Sequence, residues 1–351
     1  MSTQTPRPPQ SPCASVEVFA PARLHLGFLD VSGTLGRRFG SLGLTIQGMG
    51  TRITLSRAFD RSEVARFSER TTRLLASLSE RHAGLAPLQL KIQEAIPEHI
   101  GLGSGTQLGL AIAAGMAALQ GERASARALA EQVERGARSG IGIGAFESGG
   151  FLVDGGKGPG ETPAPIIARA NFPEAWRIIL IFDHERRGLF GDAEKAAFRA
   201  LPAFPAEAAG RLCHLVLMRL LPGLAESTFD PVAEAIGEIS ARVGDHFAPV
   251  QGGRFASPRV SRVLGWLRDA GFGGVGQSSW GPTAFALIAS EPEAERVRDA
   301  LANRFGDDDK LSFRICEGRN HGAEIRRLPT LVEGRTFARP GERRDARGAR
   351  R

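Results

Sequence analysis

The chain has 351 residues, a mass of 37.4 kDa and 42% hydrophobic content, enough for one large or two ordinary domains with a buried core, which excludes a wholly disordered protein. It contains no run of about 18 apolar residues, and its opening MSTQTPRPPQSP lacks the layout of a signal peptide, so neither a membrane span nor export is expected and the cytoplasm is the default location. The net charge of +7 sits mainly in the tail, where residues 334–351 carry seven Arg against Glu342 and Asp345, so the near-neutral remainder argues against a nucleic-acid-binding protein.

Residues 1–15 are rich in Pro, Ser and Thr and read as a disordered lead-in. From residue 16, VEVFAPARLHLGFLD alternates apolar and polar residues around Pro21, a strand with an interruption, and TRITLS at 51–56 reads as a second strand. Between them lies a glycine-rich segment carrying Arg37 and Arg38. Val64, Phe67, Leu74, Leu75 and Leu78 recur at helical spacing, with Gly84 as a stop. A half-buried strand follows at 88–96, then the loop PEHIGLGSGTQ, then a helix whose stripe is Leu108, Ile112, Met116 and Leu119, closed by Gly121. Ser125 caps a short helix, and a second glycine run, GIGIGAFESGGFLVDGGKGPG, leads to a domain boundary at 155–165. Beyond it come a buried strand at 176–182, three or four helices between 192 and 243, a helix at 259–270, a strand at 283–289, a helix at 293–305 and the strand LSFRIC. The expected domains are therefore 16–165 and 166–333, with the Arg-rich tail 334–351 outside both. The three cysteines, Cys13, Cys213 and Cys316, show no metal or disulfide spacing; the latter two read as buried thiols.

The strand, glycine loop and helix around Gly101, Leu102, Gly103, Ser104, Gly105, Thr106 and Gln107 suit an anion, because N–H groups freed at a helix start point outward and Gly lets the main chain approach closely. An ordinary capped turn is the competing reading. Two other nucleotide motifs fail: Gly156-Lys157 is followed by Gly158 rather than Ser or Thr, and GFGGVG at 271–276 follows a helix and precedes a strand, the reverse of the dinucleotide-binding order. Arg23 and His25 lie two apart in a strand and share a face. The polar run Asp183 to Arg187 follows a buried strand and reads as a site cluster or as a charged turn.

IPEHIGLGSGTQ before an Ala-rich helix resembles the phosphate-binding motif of the galactokinase, homoserine kinase, mevalonate kinase and phosphomevalonate kinase (GHMP) superfamily, and GFGGVGQSSWGPTAFAL resembles its third motif. The chain departs from the kinases at Gly105-Thr106-Gln107, where they carry Ser and Ala, so ATP use does not carry over with the fold. Four ordered segments, PARLHLGFLDVSGTLGRRFGSLGL, GLGSGTQLGLA, RSGIGIGAFESGGFLVDGG and GQSSWGPTAFAL, resemble the β-ribofuranosylaminobenzene 5'-phosphate synthase family. The resemblance implies an α+β, two-domain GHMP-kinase-like fold, with a ribosomal protein S5 domain 2-like N-terminal half and a ferredoxin-like C-terminal half. It implies transfer of phosphoribosyl from phosphoribosyl pyrophosphate to 4-aminobenzoate, releasing CO2 and pyrophosphate, with Mg2+ as cofactor, a homodimer, and no membrane or nucleic-acid partner. Under it Glu147, His25 and Arg23 are the catalytic candidates. Gly101 to Gln107, Arg37, Arg38, Ser139, Gly140, Gln277, Ser278 and Ser279 are assigned to substrate or phosphate, and Glu147 with Asp154 to the metal. The competing readings are an ATP-dependent kinase or related decarboxylase on the same fold, and a non-catalytic anion- or nucleic-acid-binding protein.

Overall fold

The computed structural model describes residues 15–57, 68–81, 88–160, 163–189 and 191–328; the lead-in up to residue 14, Val64, Phe67, Gly84, Cys13 and the Arg-rich tail lie outside it. In chain order the first elements are β1 (Ser15–Asp30), β2 (Phe39–Arg57), α1 (Glu69–Arg81), β3 (Leu88–Glu94), α2 (Ser104–Gln120), α3 (Ala126–Gln132), α4 (Ile141–Glu147), β4 (Phe151–Asp154) and β5 (Ile166–Ala170). Then come β6 (Arg177–Asp183), α5 (Gly191–Ala200), α6 (Ala206–Leu215), a π-helical turn (Val216–Leu220), α7 (Leu221–Glu226), α8 (Phe229–Gln251), α9 (Pro258–Asp269), β7 (Val275–Gln277), β8 (Ala284–Ile288), α10 (Glu291–Phe305), β9 (Leu311–Cys316) and β10 (Glu324–Leu328).

Two antiparallel sheets organise these elements, giving the expected α+β fold. The first runs β10-β1-β2-β4-β5 with β3 also on β2, and the second runs β7-β8-β6-β9. Pro21 does not end β1: pairing with β2 shifts register between Pro21 and Arg23 and again between His25 and Gly27, so two bulges absorb the interruption. The glycine-rich segment expected between two strands is instead mostly the first half of β2, secured by hydrogen-bonded neighbours on both sides. The second glycine run likewise contains a helix, α4, whose Ile141, Ala145 and Phe146 are buried.

The boundary read at 155–165 is corrected by pairing. β5 lies beyond it yet pairs with β4, and β10 returns from the far end of the described chain to pair with β1. A shared hydrophobic core crosses between the halves, bringing Leu24, Leu42 and Phe151 together with Leu180, Leu212, Ile236 and Phe285. One stretch, Ala206–Glu226, is long and apolar enough to span a bilayer by length and composition, but its Leu212, Leu215, Leu220 and Leu224 belong to this core. Of the two cysteines read as buried, Cys316 is, with burial pushing its thiol up to about 11, whereas Cys213 on α6 is exposed.

Candidate active site

The loop between β3 and α2 meets the chain before β8. Gly101 has φ +89°, and a side chain there would run into the Ser278 carbonyl and the Gly281 Cα, so the two glycine segments touch backbone to backbone. Gly103 is the N-cap of α2, with φ 88° and no side-chain cap, so the first turn of a 17-residue helix presents N–H groups that the helix itself does not satisfy. That turn opens on a cleft of about 780 Å³ lined by Gly103, Ser104, Gly105 and Thr106 on one side and by Ser279, Trp280 and Gly281 on another.

Arg23 lies beneath this loop. Its guanidinium packs against Gly103, Nη1 donates to the Gly101 carbonyl at 2.6 Å, and burial lowers its pKa to about 10, with Glu194 opposing the fall, so it remains a cation at neutral pH. The same carbonyl accepts from Ser278 Oγ at 2.8 Å, and Ser278 Oγ in turn accepts from the His25 N–H at 2.9 Å. Arg23, Ser278 and the glycine loop are therefore brought together at the Gly101 carbonyl. Ser279 joins them on the cleft wall, its N–H donating to the His25 carbonyl at 3.1 Å.

His25 is a different case. It is 3% exposed, neither ring nitrogen has a hydrogen-bond partner among the described residues, and the ring sits 4.5 Å from that of Phe28. Burial, reinforced by the charges of Arg23 and Arg138, lowers its pKa to about 3, so it is neutral across the physiological range and cannot serve as a proton donor there. Below pH 6.5 the unfolded chain binds a proton that the folded chain does not, so His25 should erode stability as pH falls from 6.5 towards about 3. A His25→Phe variant should flatten that part of a melting-temperature profile between pH 6.5 and 4; an unchanged slope would show that His25 is charged in the fold.

Sequence reading missed the acidic and aromatic side of the cleft. Arg138, from the turn before α4, pairs with Glu194 of α5 at 2.7 Å and lies 5.3 Å from the centre of the Phe198 ring. Glu194 has 19% of its side chain exposed, against 84% for Glu69 and 52% for Glu98 on the same cleft, and burial raises its pKa while Arg138 and Arg23 pull it down. Trp280 is 3% exposed, Phe247 stacks on it at 4.4 Å, and the edge of Phe198 meets it at 5.2 Å. The W in QSSWGPT was visible but carried no chemical signal alone; Arg138 and Glu194 are 56 residues apart and only folding pairs them.

Several assigned residues serve elsewhere. Asp154 is buried at the end of β4 and accepts from Ser41 N at 3.1 Å, Ser139 Oγ at 3.0 Å, Gly140 N at 2.9 Å and Gly156 N at 2.9 Å, as well as from Ser41 Oγ. It ties β2 to the start of α4, with Ser139 and Gly140 as partners of this knot rather than cleft residues; burial raises its pKa against the pull of the donors. Glu147 is exposed at the far end of α4 and does not line the cleft. Neither of the pair lines the cleft, and among the described residues no group of three or more His, Cys, Asp or Glu is placed to hold a metal. Arg37 donates to the Gly155 and Gly156 carbonyls at 2.6 and 2.7 Å, and Arg38 packs over Phe39, both away from the cleft. Gln107 turns inward, Nε2 donating to the Gly142 carbonyl at 2.8 Å, and Gln277 braces the loop before α9 through Ala256 N at 2.7 Å. Leu102 is buried core. Asp183 accepts from Ser257 Oγ at 2.6 Å, and Glu185 pairs with Arg259 at 2.7 Å, so that polar run anchors α9.

Profiles of two domains match the chain: GHMP kinases N terminal domain over residues 69–150 and GHMP kinases C terminal over residues 220–308. A β-ribofuranosylphenol 5'-phosphate synthase of Methanothermobacter thermautotrophicus is 32% identical over 332 residues, covering 86% of this chain and 96% of that protein. A protein of the same name from Archaeoglobus fulgidus is 30% identical over 320 residues, covering 87% and 97%. Among solved structures, a mevalonate diphosphate decarboxylase from Enterococcus faecalis superposes with a TM-score of 0.61 at 17% identity over 90% of this chain and 99% of that one. Homoserine kinase from Cytophaga hutchinsonii superposes with a TM-score of 0.57 at 18% identity over 90% and 98%.

Proposed function

Because the chain belongs to the β-ribofuranosylphenol 5'-phosphate synthase family, built on the GHMP kinase fold, we propose that it transfers the phosphoribosyl group of phosphoribosyl pyrophosphate to a para-substituted benzoate, releasing pyrophosphate and CO2. The acceptor in this reading is 4-aminobenzoate, on the route to tetrahydromethanopterin or dihydromethanopterin. The relatives' name describes a phenol product, which 4-hydroxybenzoate would give; the amine and the hydroxyl both push electrons to the ring carbon bearing the carboxylate, so one site geometry serves either. The observation that carries the reading is the uncapped start of α2 over the half-buried cation Arg23, a fixed anion site beside Trp280 in one cleft.

The chemistry follows from that layout. As the bond from the anomeric carbon to pyrophosphate breaks, negative charge gathers on the leaving group, where the N–H groups of the α2 turn and the Arg23 guanidinium hold it in a fixed place. Positive charge gathers on the ribose, and Glu194 is the sheltered carboxylate on that cleft, in the part assigned from sequence to Glu147. The ring carbon that carries the carboxylate then forms the new carbon–carbon bond, and loss of CO2 leaves its electron pair in the ring and restores aromaticity. No ring proton has to be removed, which agrees with a buried neutral His25. Magnesium in this reading is part of the substrate, chelated by the pyrophosphate. A cytoplasmic homodimer completes the reading.

Calorimetric titration separates this function from a kinase on the same fold. Phosphoribosyl pyrophosphate with magnesium should bind and be displaced by pyrophosphate, while ATP with magnesium should bind at least tenfold more weakly. Tighter binding of ATP would favour the kinase.

A further inference from the structure

The described chain contains many buried aromatic residues, but one of them combines an unsatisfied donor with a place on the cleft. Trp280 lines the cleft, is 3% exposed, and its indole N–H has no acceptor among the described residues. Buried donors are nearly always paired, so an N–H that meets neither solvent nor a partner, on a residue of the cleft wall, is matched by an acceptor that the substrate brings when it seats there. The indole is held from two sides, by Phe247 stacked at 4.4 Å with an interplanar angle of 25°, and by the edge of Phe198 at 5.2 Å and 89°. Phe198 is in turn covered by the Arg138 guanidinium, itself fixed by Glu194. The indole therefore has little freedom to turn its N–H elsewhere.

The position along the chain is as telling as the environment. Trp280 sits between Ser279, whose N–H is tied to the His25 carbonyl, and Gly281, whose Cα touches Gly101 of the anion loop. A flat ring lodged at Trp280 lies next to the place where the ribose carbon is released from pyrophosphate. Resting on the proposed transferase reading, we propose that Trp280, with Phe198 and Arg138 behind it, forms the acceptor subsite for a benzoate, the indole N–H donating to the acceptor's carboxylate. A single neutral donor holds and orients the carboxylate without a direct ion pair to it. That suits a group which must leave as CO2, since a tightly paired carboxylate would resist losing its charge to the ring.

The proposal separates ring recognition from pyrophosphate recognition, and Trp280→Phe tests it, because the substitution keeps an aromatic ring and deletes only the N–H and part of its area. With wild-type protein shown to form product from phosphoribosyl pyrophosphate and the benzoate, Trp280→Phe should raise the benzoate KM about tenfold, as loss of a hydrogen bond to a charged group does, and leave the phosphoribosyl pyrophosphate KM within twofold. In binding measurements wild type should prefer 4-hydroxybenzoate over phenol, and that preference should shrink by the same factor in Trp280→Phe. An unchanged benzoate KM, or an equal rise in both KM values, overturns the subsite. If Trp280→Phe is poorly folded by its melting curve, Phe198→Leu serves instead, with the same selective rise for the benzoate expected and an unchanged benzoate KM contradicting the proposal. A wild type that forms no product at all overturns the transferase reading itself, which is a distinct outcome.

Discussion

Replacing Arg23 by methionine is expected to lower kcat/KM by about 10²- to 10³-fold, the range seen when one preorganised donor to a developing anion is removed, while the protein stays folded. Methionine fills similar volume along the buried strand, the Gly101 carbonyl keeps its hydrogen bond from Ser278, and Glu194 keeps Arg138, so no buried charge is stranded. What disappears is the cation under Gly103, against which the leaving pyrophosphate is stabilised. Steady-state kinetics with a parallel melting curve check this. A loss smaller than fivefold, in a variant that melts normally, would show that the loop works without Arg23.

The second large effect falls on stability. Asp154→Asn should destabilise the fold by about 3 kcal/mol, because one carboxamide oxygen must replace a carboxylate that takes five donors, and the new N–H2 faces donors instead of acceptors. Denaturant unfolding measures the loss, and the magnesium dependence of the remaining activity should match wild type. A variant of normal stability whose activity needs far more magnesium would return Asp154 to the metal role the sequence suggested.

These two residues show where sequence reading reaches and where it stops. Arg23 and the loop from Gly101 to Thr106 were legible because their signals are local: residues two apart in a strand share a face, and glycines at a strand-to-helix junction free N–H groups. The link to Ser278 came from an ordered motif rather than from spacing. The surroundings of Asp154 and Glu147 were not legible, because a carboxylate in a glycine run looks the same whether it meets a metal, solvent or five N–H and O–H donors; only the approach of Ser41 and Gly140 shows the knot around Asp154. β5 and β10 were placed with the second half because pairing to β4 and β1 is a long-range fact that composition does not carry. The long β2 was hidden by its own glycines, which lower strand propensity while its two neighbours hold it extended. Arg138, Glu194 and Trp280 come from three separate segments, and what makes them a site is the cleft that closes over α2.

Whether carbon–carbon bond formation and loss of CO2 occur together in this cleft is tested by incubating the purified protein with magnesium, phosphoribosyl pyrophosphate and carboxyl-labelled 4-aminobenzoate, and in parallel 4-hydroxybenzoate, while following labelled CO2, pyrophosphate and the arene riboside phosphate. All three should appear in equal amounts with at least one acceptor and without ATP. Turnover of ATP with a small-molecule phosphate acceptor, and no labelled CO2 from either benzoate, would contradict the transferase reading.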